Sequence, residues 1–330
     1  MRIPLYNIFG DNYILQLATE AENAKRRPTY VEIEEEDLTE TLKLAAEIAE
    51  EREKSQRRFL LPLSENDNTT WNIALRCYNF PQNTSLSQVF RGFSQLKRCY
   101  DVTPPSFIKP EYYEFGRYPG RVEKGKIRVA PHYIILSAAG WVLTRVGRAN
   151  VGGNQFVGVN VFSPQEGILY SLDKELKDSL LPGVKPETAF SLWISKKIAD
   201  LVGISMPSFL RVYIMTDATL NRPTVIRGGF TIEVSKILSK KRLLTDELEE
   251  IAAKALKVDS GPGERLTSRN FYIKLANYIY EYINGSKKLE DLIYFANRDL
   301  LINVGSKDET LEELKRISSY VNEDLLKEMR

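Results

Sequence analysis

One stretch constrains this chain more than any other. The run Tyr133–Leu143 is the longest apolar segment, interrupted only by Ser137 and Gly140 and followed by Arg145 and Arg148. It falls well short of the roughly 20 apolar residues that a bilayer-spanning helix requires. A helix that is apolar on every side must instead be surrounded by protein. The rest of the chain therefore has to wrap a helix over His132–Val146, and 330 residues are enough to do so.

The segments that flank this helix alternate in type. Leu5–Glu20 reads as a turn (Asn7-Ile8-Phe9-Gly10-Asp11-Asn12) opening an apolar helix, and Thr29–Ile33 as an edge strand. Asp37 stands at a capping position before a stripe of Leu38, Leu42, Ala45, Ala46 and Ala49. Residues 64–120 are polar and aromatic, with helical pieces near Thr70–Tyr78 and Ser85–Tyr100 and loops forced by Pro104-Pro105 and Pro110. Strands are expected at Lys126–Val129, Gln155–Phe162, Leu210–Met215 and Thr224–Val234, the last with a bulge or turn at Gly228-Gly229. A helix begins at Pro186-Glu187 and carries Ala189, Phe190, Trp193, Ile194 and Ile198 on one stripe. Beyond Leu243 the pattern predicts four helices, 245–257, 268–284, 287–302 and 309–328, with short connections. The fold class is therefore α+β: a mixed α/β body over 1–242 and a C-terminal helical bundle over 243–330, read as a partner-docking module.

Charge is unevenly distributed. Residues 1–56 carry a net −6, 57–150 a net +8, 151–242 a net +4 and 243–330 a net −4, which together leave the chain at +2. A basic middle between acidic ends is the footprint of a surface for a polyanion. Two loops there have the right chemistry. Arg117, Arg121, Lys124, Lys126 and Arg128 lie among glycines and prolines and are suited to phosphates. Arg145, Arg148, Asn150, Gly152, Gly153, Asn154 and Gln155 combine guanidiniums and amides that can pair with base edges, on glycines that let a backbone approach closely. A third cluster, Lys236, Lys240, Lys241 and Arg242, reads as a helix end.

Other chemistry is missing. His132 is the only histidine, so sites needing two are excluded, and Walker A, G-x-G-x-x-G and G-x-S-x-G patterns are absent. His132 itself, just after Pro131, reads as a capping or core residue. No cofactor or metal is expected, and the chain is read as a non-enzyme. Cys77 and Cys99 are expected to be reduced thiols of a cytoplasmic protein. Few Cys, Met and His beside many Lys, Arg and Glu point to a thermophile. The N-terminus lacks the apolar core of a signal peptide.

Three segments together carry a resemblance: Pro4–Asp11, the strand Phe156–Phe162 after Gly152-Gly153, and the helix Pro186–Ala199. With them the chain resembles the Csa-type large subunit of archaeal type I-A CRISPR interference (Cascade) complexes. That resemblance implies a non-catalytic subunit that inspects the motif flanking the target (the PAM), helps to open DNA and recruits a helicase-nuclease. The implied partners are a double-stranded DNA target, CRISPR RNA within the complex, the backbone and small subunits, and the helicase-nuclease, with no membrane. It carries no residue roles, so the site residues above rest on their own chemistry. Two other readings stay open: a carboxylate- and magnesium-dependent nuclease or nucleotide-processing enzyme, and a structural assembly subunit.

Overall fold

The apolar run folds as expected, into a buried helix on which one half of the molecule is built. The computed structural model describes residues 1–55, 61–94, 99–110, 127–153, 155–176, 179–201, 207–257, 266–303 and 319–320. The chain forms two compact units. The first comprises Met1–Gly147, Val157–Ser179 and Arg211–Phe230; the second comprises Arg148–Phe156, Leu180–Leu210 and Thr231–Arg330. They interleave along the chain, so no single cut separates them.

In the first unit, β1 (Arg2–Pro4) leads through a tight turn into α1 (Gly10–Glu20). Asn7 takes a left-handed φ of 58° in that turn. The Asp11 carboxylate holds it, accepting from the Tyr6 and Ile8 amides (3.0 and 3.2 Å) and from the Tyr133 hydroxyl (2.6 Å). Burial, and then the nearby Asp11 charge, push the Tyr133 phenol well above its ordinary pKa, so it stays protonated and donates. β2 (Lys25–Arg26) and β3 (Tyr30–Glu32) complete a sheet of order β1-β3-β2. The predicted edge strand is thus the central one, paired on both sides by short neighbours whose pairing no local pattern encodes.

α2 (Glu35–Ser55) starts two residues before the expected cap, with Asp37 inside its first turn. α3 (Glu65–Cys77) and α4 (Leu86–Gly92) each begin with a reciprocal capping box, Ser64 with Asp67 and Ser85 with Gln88. α4 is shorter than its predicted segment. Cys77 and Cys99 are disulfide-bonded, which overturns the expectation of two reduced thiols. Their Cα atoms are 6.3 Å apart, within bonding range, although 22 residues separate them in sequence. α5 (Pro131–Thr144) is the central helix, with every side chain buried except that of His132, which is half-buried. α1 lies so close to it that a Cβ on Gly140 would sit 2.4 Å from the Tyr13 carbonyl oxygen. α2, α3 and α4 also pack on α5. Of the strand predicted at Lys126–Val129, the described residues retain an isolated bridge between Val102 and Val129.

The remaining strands are β4 (Arg145–Asn150), β5 (Phe156–Phe162), β6 (Leu180–Leu181), β7 (Leu210–Thr216) and β8 (Val225–Ile232), in the order β6-β4-β5-β7-β8. β5 and β7 are antiparallel, with Asn160 opposite Tyr213, whereas β4 and β6 are parallel. No turn breaks β8 at Gly228-Gly229. A Cβ on Gly229 would crowd the Tyr213 ring and the Val212 carbonyl at 3.0 Å. α6 (Ile168–Leu176), not anticipated from the sequence, follows β5.

The second unit is mainly helical: α7 (Glu187–Asp200), α8 (Val234–Leu238), α9 (Asp246–Leu256), α10 (Leu266–Ile283) and α11 (Leu289–Asn303). α9 shows why. Thr245 caps it, three acids occupy its first turn, and Leu248, Ile251, Ala252, Ala255 and Leu256 form one buried stripe. α9 packs on α7 and α10. Buried Lys196 of α7 meets Asp200 (2.6 Å) and Asp246 (3.2 Å). The helix predicted at 309–328 lies outside the described residues except for 319–320. There the Tyr320 hydroxyl donates to the Leu243 carbonyl at 3.1 Å. The mixed α+β class with C-terminal helices holds. No described helix is long and apolar enough to cross a membrane.

A buried guanidinium closes the central helix. Arg52 of α2, 2% exposed, donates to the Val142 carbonyl (3.1 Å), to the Arg145 carbonyl and to the Asp173 carboxylate on α6. Removing one partner strands the other charge in the core. Arg52→Ala is therefore expected to cost about 3–5 kcal/mol in urea denaturation, with part of the loss recovered in the Arg52→Ala/Asp173→Leu double variant.

Candidate nucleic-acid interface

The β4–β5 hairpin gathers most of the described residues from the second basic segment. α5 passes into β4 with no intervening loop, Arg145 already being extended. From Arg148 the strand alternates: Arg148 is exposed, Ala149 buried and Asn150 half-exposed. The Asn150 side-chain oxygen then accepts from the Gly152 amide at 2.8 Å, starting the turn. The Gln155 amide donates to the Gly152 carbonyl (3.0 Å), and the Val151 amide to the Gln155 carbonyl (2.9 Å), which closes it. Gly152 and Gly153 have φ of 106° and 56°. A φ of 106° is open to glycine, and one of 56° costs glycine least, which explains the pair physically.

The tip has a specific surface. The Arg148 guanidinium lies 5.1 Å from the centroid of the Phe156 ring. Phe156 is 40% exposed and Val151 42%. With Asn150, Gln155 and the open space around Gly153, they form a cationic, aromatic and amide-bearing edge. Such an edge can contact phosphates through Arg148, base edges through its amides, and sugar or base faces through its apolar groups. Asn154 lies outside the described residues. Phe156 and Val151 were not among the predicted site residues; their signal is the exposed position at the turn, beside a strand buried from Val157 onward.

Arg145 does not belong to this surface. Its guanidinium is buried, 3% exposed, and donates bidentately to Asp217 at 3.0 and 2.6 Å. It also lies 5.5 Å from the Trp141 ring. A buried, paired guanidinium offers nothing to a polyanion, so the expectation for Arg145 is withdrawn. Gly158 makes room for it: a Cβ there would meet Arg145 Nη1 at 1.7 Å. Of the first basic loop, Arg117, Arg121, Lys124 and Lys126 lie outside the described residues. Arg128 is exposed and donates to the Asp101 carbonyl at 3.2 Å, in the first unit rather than the second.

In the third cluster Lys236 pairs with Glu233 (3.6 Å), and Lys240 lies 5.6 Å from the Tyr282 ring. His132 provides no cap, because the α5 N-cap at Ala130 has no side-chain hydrogen bond. Burial lowers the His132 pKa, opposed by Asp101, so the imidazole is neutral at physiological pH.

The family model for the CRISPR-associated protein CsaX matches residues 31–300. The chain belongs to this family. The match includes the hairpin and α5 but leaves out Pro4–Asp11, the opening turn that contributed to the large-subunit resemblance. It establishes a CRISPR-associated Csa family and with it a role in CRISPR defence, without selecting the large subunit. No curated protein matches the chain.

Because Arg145 and Gly158 occupy one space, Gly158→Ala must push the guanidinium away from Asp217. The expected loss is about 1–3 kcal/mol, measured by urea denaturation. The same change at Gly228, Gly228→Ala, is expected to be nearly neutral, since a Cβ there meets nothing within 4 Å.

Proposed function

We propose that this CsaX-family chain is a non-catalytic, DNA-contacting subunit of an RNA-guided surveillance complex, in the position of a type I-A large subunit. The β4–β5 hairpin is its probe for the duplex beside the target. Guide pairing reads the target sequence in such a system, and protein reads a short flanking motif. The observation that carries this reading is the hairpin tip itself. It puts Arg148, exposed and stacked on Phe156, beside Asn150, Gln155 and two left-handed glycines. The half-exposed Phe156 ring under Arg148 puts apolar contact area next to a cation at the turn. A groove-entering loop gains contact area and a sandwiched guanidinium. Family membership supplies the nucleic-acid context. The helices of the second unit, with the acidic C-terminal segment, suit the docking of other subunits or the helicase-nuclease.

The roles at the tip should separate in binding measurements on the assembled, guide-loaded complex, using targets with every flanking trinucleotide at two salt concentrations. Arg148→Ala should weaken binding to all of them and reduce the salt slope by about 0.9, the value for one phosphate. Asn150→Ala and Gln155→Ala should each cost about 1–3 kcal/mol on the preferred motif and less elsewhere. Unchanged affinity and motif preference in all three variants would remove the hairpin from DNA reading and leave an assembly role. A second expectation concerns catalysis: the purified chain should neither cut DNA nor hydrolyse ATP with magnesium present. Cleavage that tracks with the chain and disappears on an Asp or Glu substitution would contradict it.

A further inference from the structure

A second candidate site lies in the first unit, and its argument is independent of the hairpin's proposed role. α3 and the segment Cys99–Thr103 border a groove of about 1070 Å³, lined by Ile73, Arg76, Tyr100, Asp101 and Arg128, with the Cys77–Cys99 disulfide in its wall. Its outstanding feature is Tyr100, which is 95% exposed. A tyrosine ring usually covers apolar surface, and this one covers almost none.

The backbone that presents the ring is tied down on both sides. One residue earlier, Cys99 is covalently joined to Cys77 at the end of α3. Two residues later, Val102 and Val129 exchange two backbone hydrogen bonds of 2.9 Å. An open aromatic on a restrained segment is preorganised: a ligand that stacks on it orders little new chain. Two arginines share the groove, both on exposed residues. Arg76 Nε donates to the Asn72 carbonyl at 3.3 Å, and Arg128 Nη1 donates to the Asp101 carbonyl at 3.2 Å. A guanidinium has five N–H donors, so each arginine keeps donors for a phosphate. Among the described residues Asp101 is the one acid in this lining, an acceptor suited to an exocyclic base amine.

We propose that this groove binds single-stranded nucleic acid, with a base stacked on Tyr100 and the backbone held by Arg76 and Arg128. An open ring face needs an open base face, and a duplex keeps its base faces covered. The combination of stacking platform and guanidiniums tolerates sequence, unlike the amide-bearing hairpin.

The test uses the full-length chain and short oligonucleotides carrying the fluorescent base 2-aminopurine, as single-stranded DNA, as RNA and as duplex DNA. Saturable, salt-sensitive binding of a single strand should quench the probe. Tyr100→Ala should lower single-strand affinity about tenfold or more and abolish the quenching, in line with the loss of one stacked base. Tyr100→Phe keeps the ring and should preserve both. Arg128→Ala should weaken binding and flatten its salt dependence. Tyr100 is on the surface, so these variants remain folded. Whichever of DNA or RNA binds more tightly identifies the strand. Wild-type affinity and quenching in Tyr100→Ala would overturn the proposal, as would the absence of saturable single-strand binding. Equal or tighter duplex binding with the same Tyr100 dependence would also overturn it.

Discussion

The interaction on which the first unit depends is the buried Arg52 guanidinium. The last turn of a helix leaves its carbonyls without partners, and a cation there satisfies them and opposes the helix dipole. Arg52 does this for α5, reaching from α2 to the Val142 and Arg145 carbonyls and balancing its charge on Asp173. With those carbonyls satisfied by a side chain, the backbone needs no capping loop. α5 can pass directly into β4, and three residues after the Arg145 carbonyl is fixed the strand begins its alternation at Arg148. A charge in the core is costly unless every neighbour answers it. Three elements are therefore locked together here: α2, the end of α5 and α6.

Two arginines three positions apart show why part of the site could be read from sequence and part could not. Arg145 and Arg148 belong to one basic segment and carry the same chemistry. Arg145 is lost to the core because Asp217, 72 residues away, and Gly158 make a place for it. Arg148 stays outside and lies against Phe156. Nothing in the local pattern distinguishes them. The turn at Gly152-Gly153 was legible because left-handed backbone leaves a compositional mark. The same holds for α5, α7 and α9, whose stripes are local. Nonlocal features were missed: the Cys77–Cys99 bond, the central place of β3, and the packing of α7 with α9 and α10.

Charge counting has the same limitation. The basic middle of the chain suggested a polyanion, yet two of its cations, Arg145 and Lys196, are neutralised inside the fold by Asp217, and by Asp200 with Asp246. Net charge along a sequence counts such residues as surface. Among the exposed cations of the described residues, Arg148 lies against an open aromatic at the hairpin, and Arg76 and Arg128 border an open aromatic in the groove. In both places exposed rings accompany guanidiniums. That pairing suits nucleic acids and agrees with a CRISPR-associated family.

The central claim is that the hairpin tip touches DNA, and contact can be measured without relying on affinity. A photoreactive aromatic amino acid placed at Val151, an exposed position with no role in the core, reports what lies within reach of the tip. The assembled, guide-loaded complex would be irradiated on a target duplex and the cross-linked partner identified. The account predicts a covalent adduct to the duplex beside the target, which disappears when the flanking motif is replaced. A cross-link confined to guide RNA or to another subunit, with no DNA adduct on any flank, would contradict it.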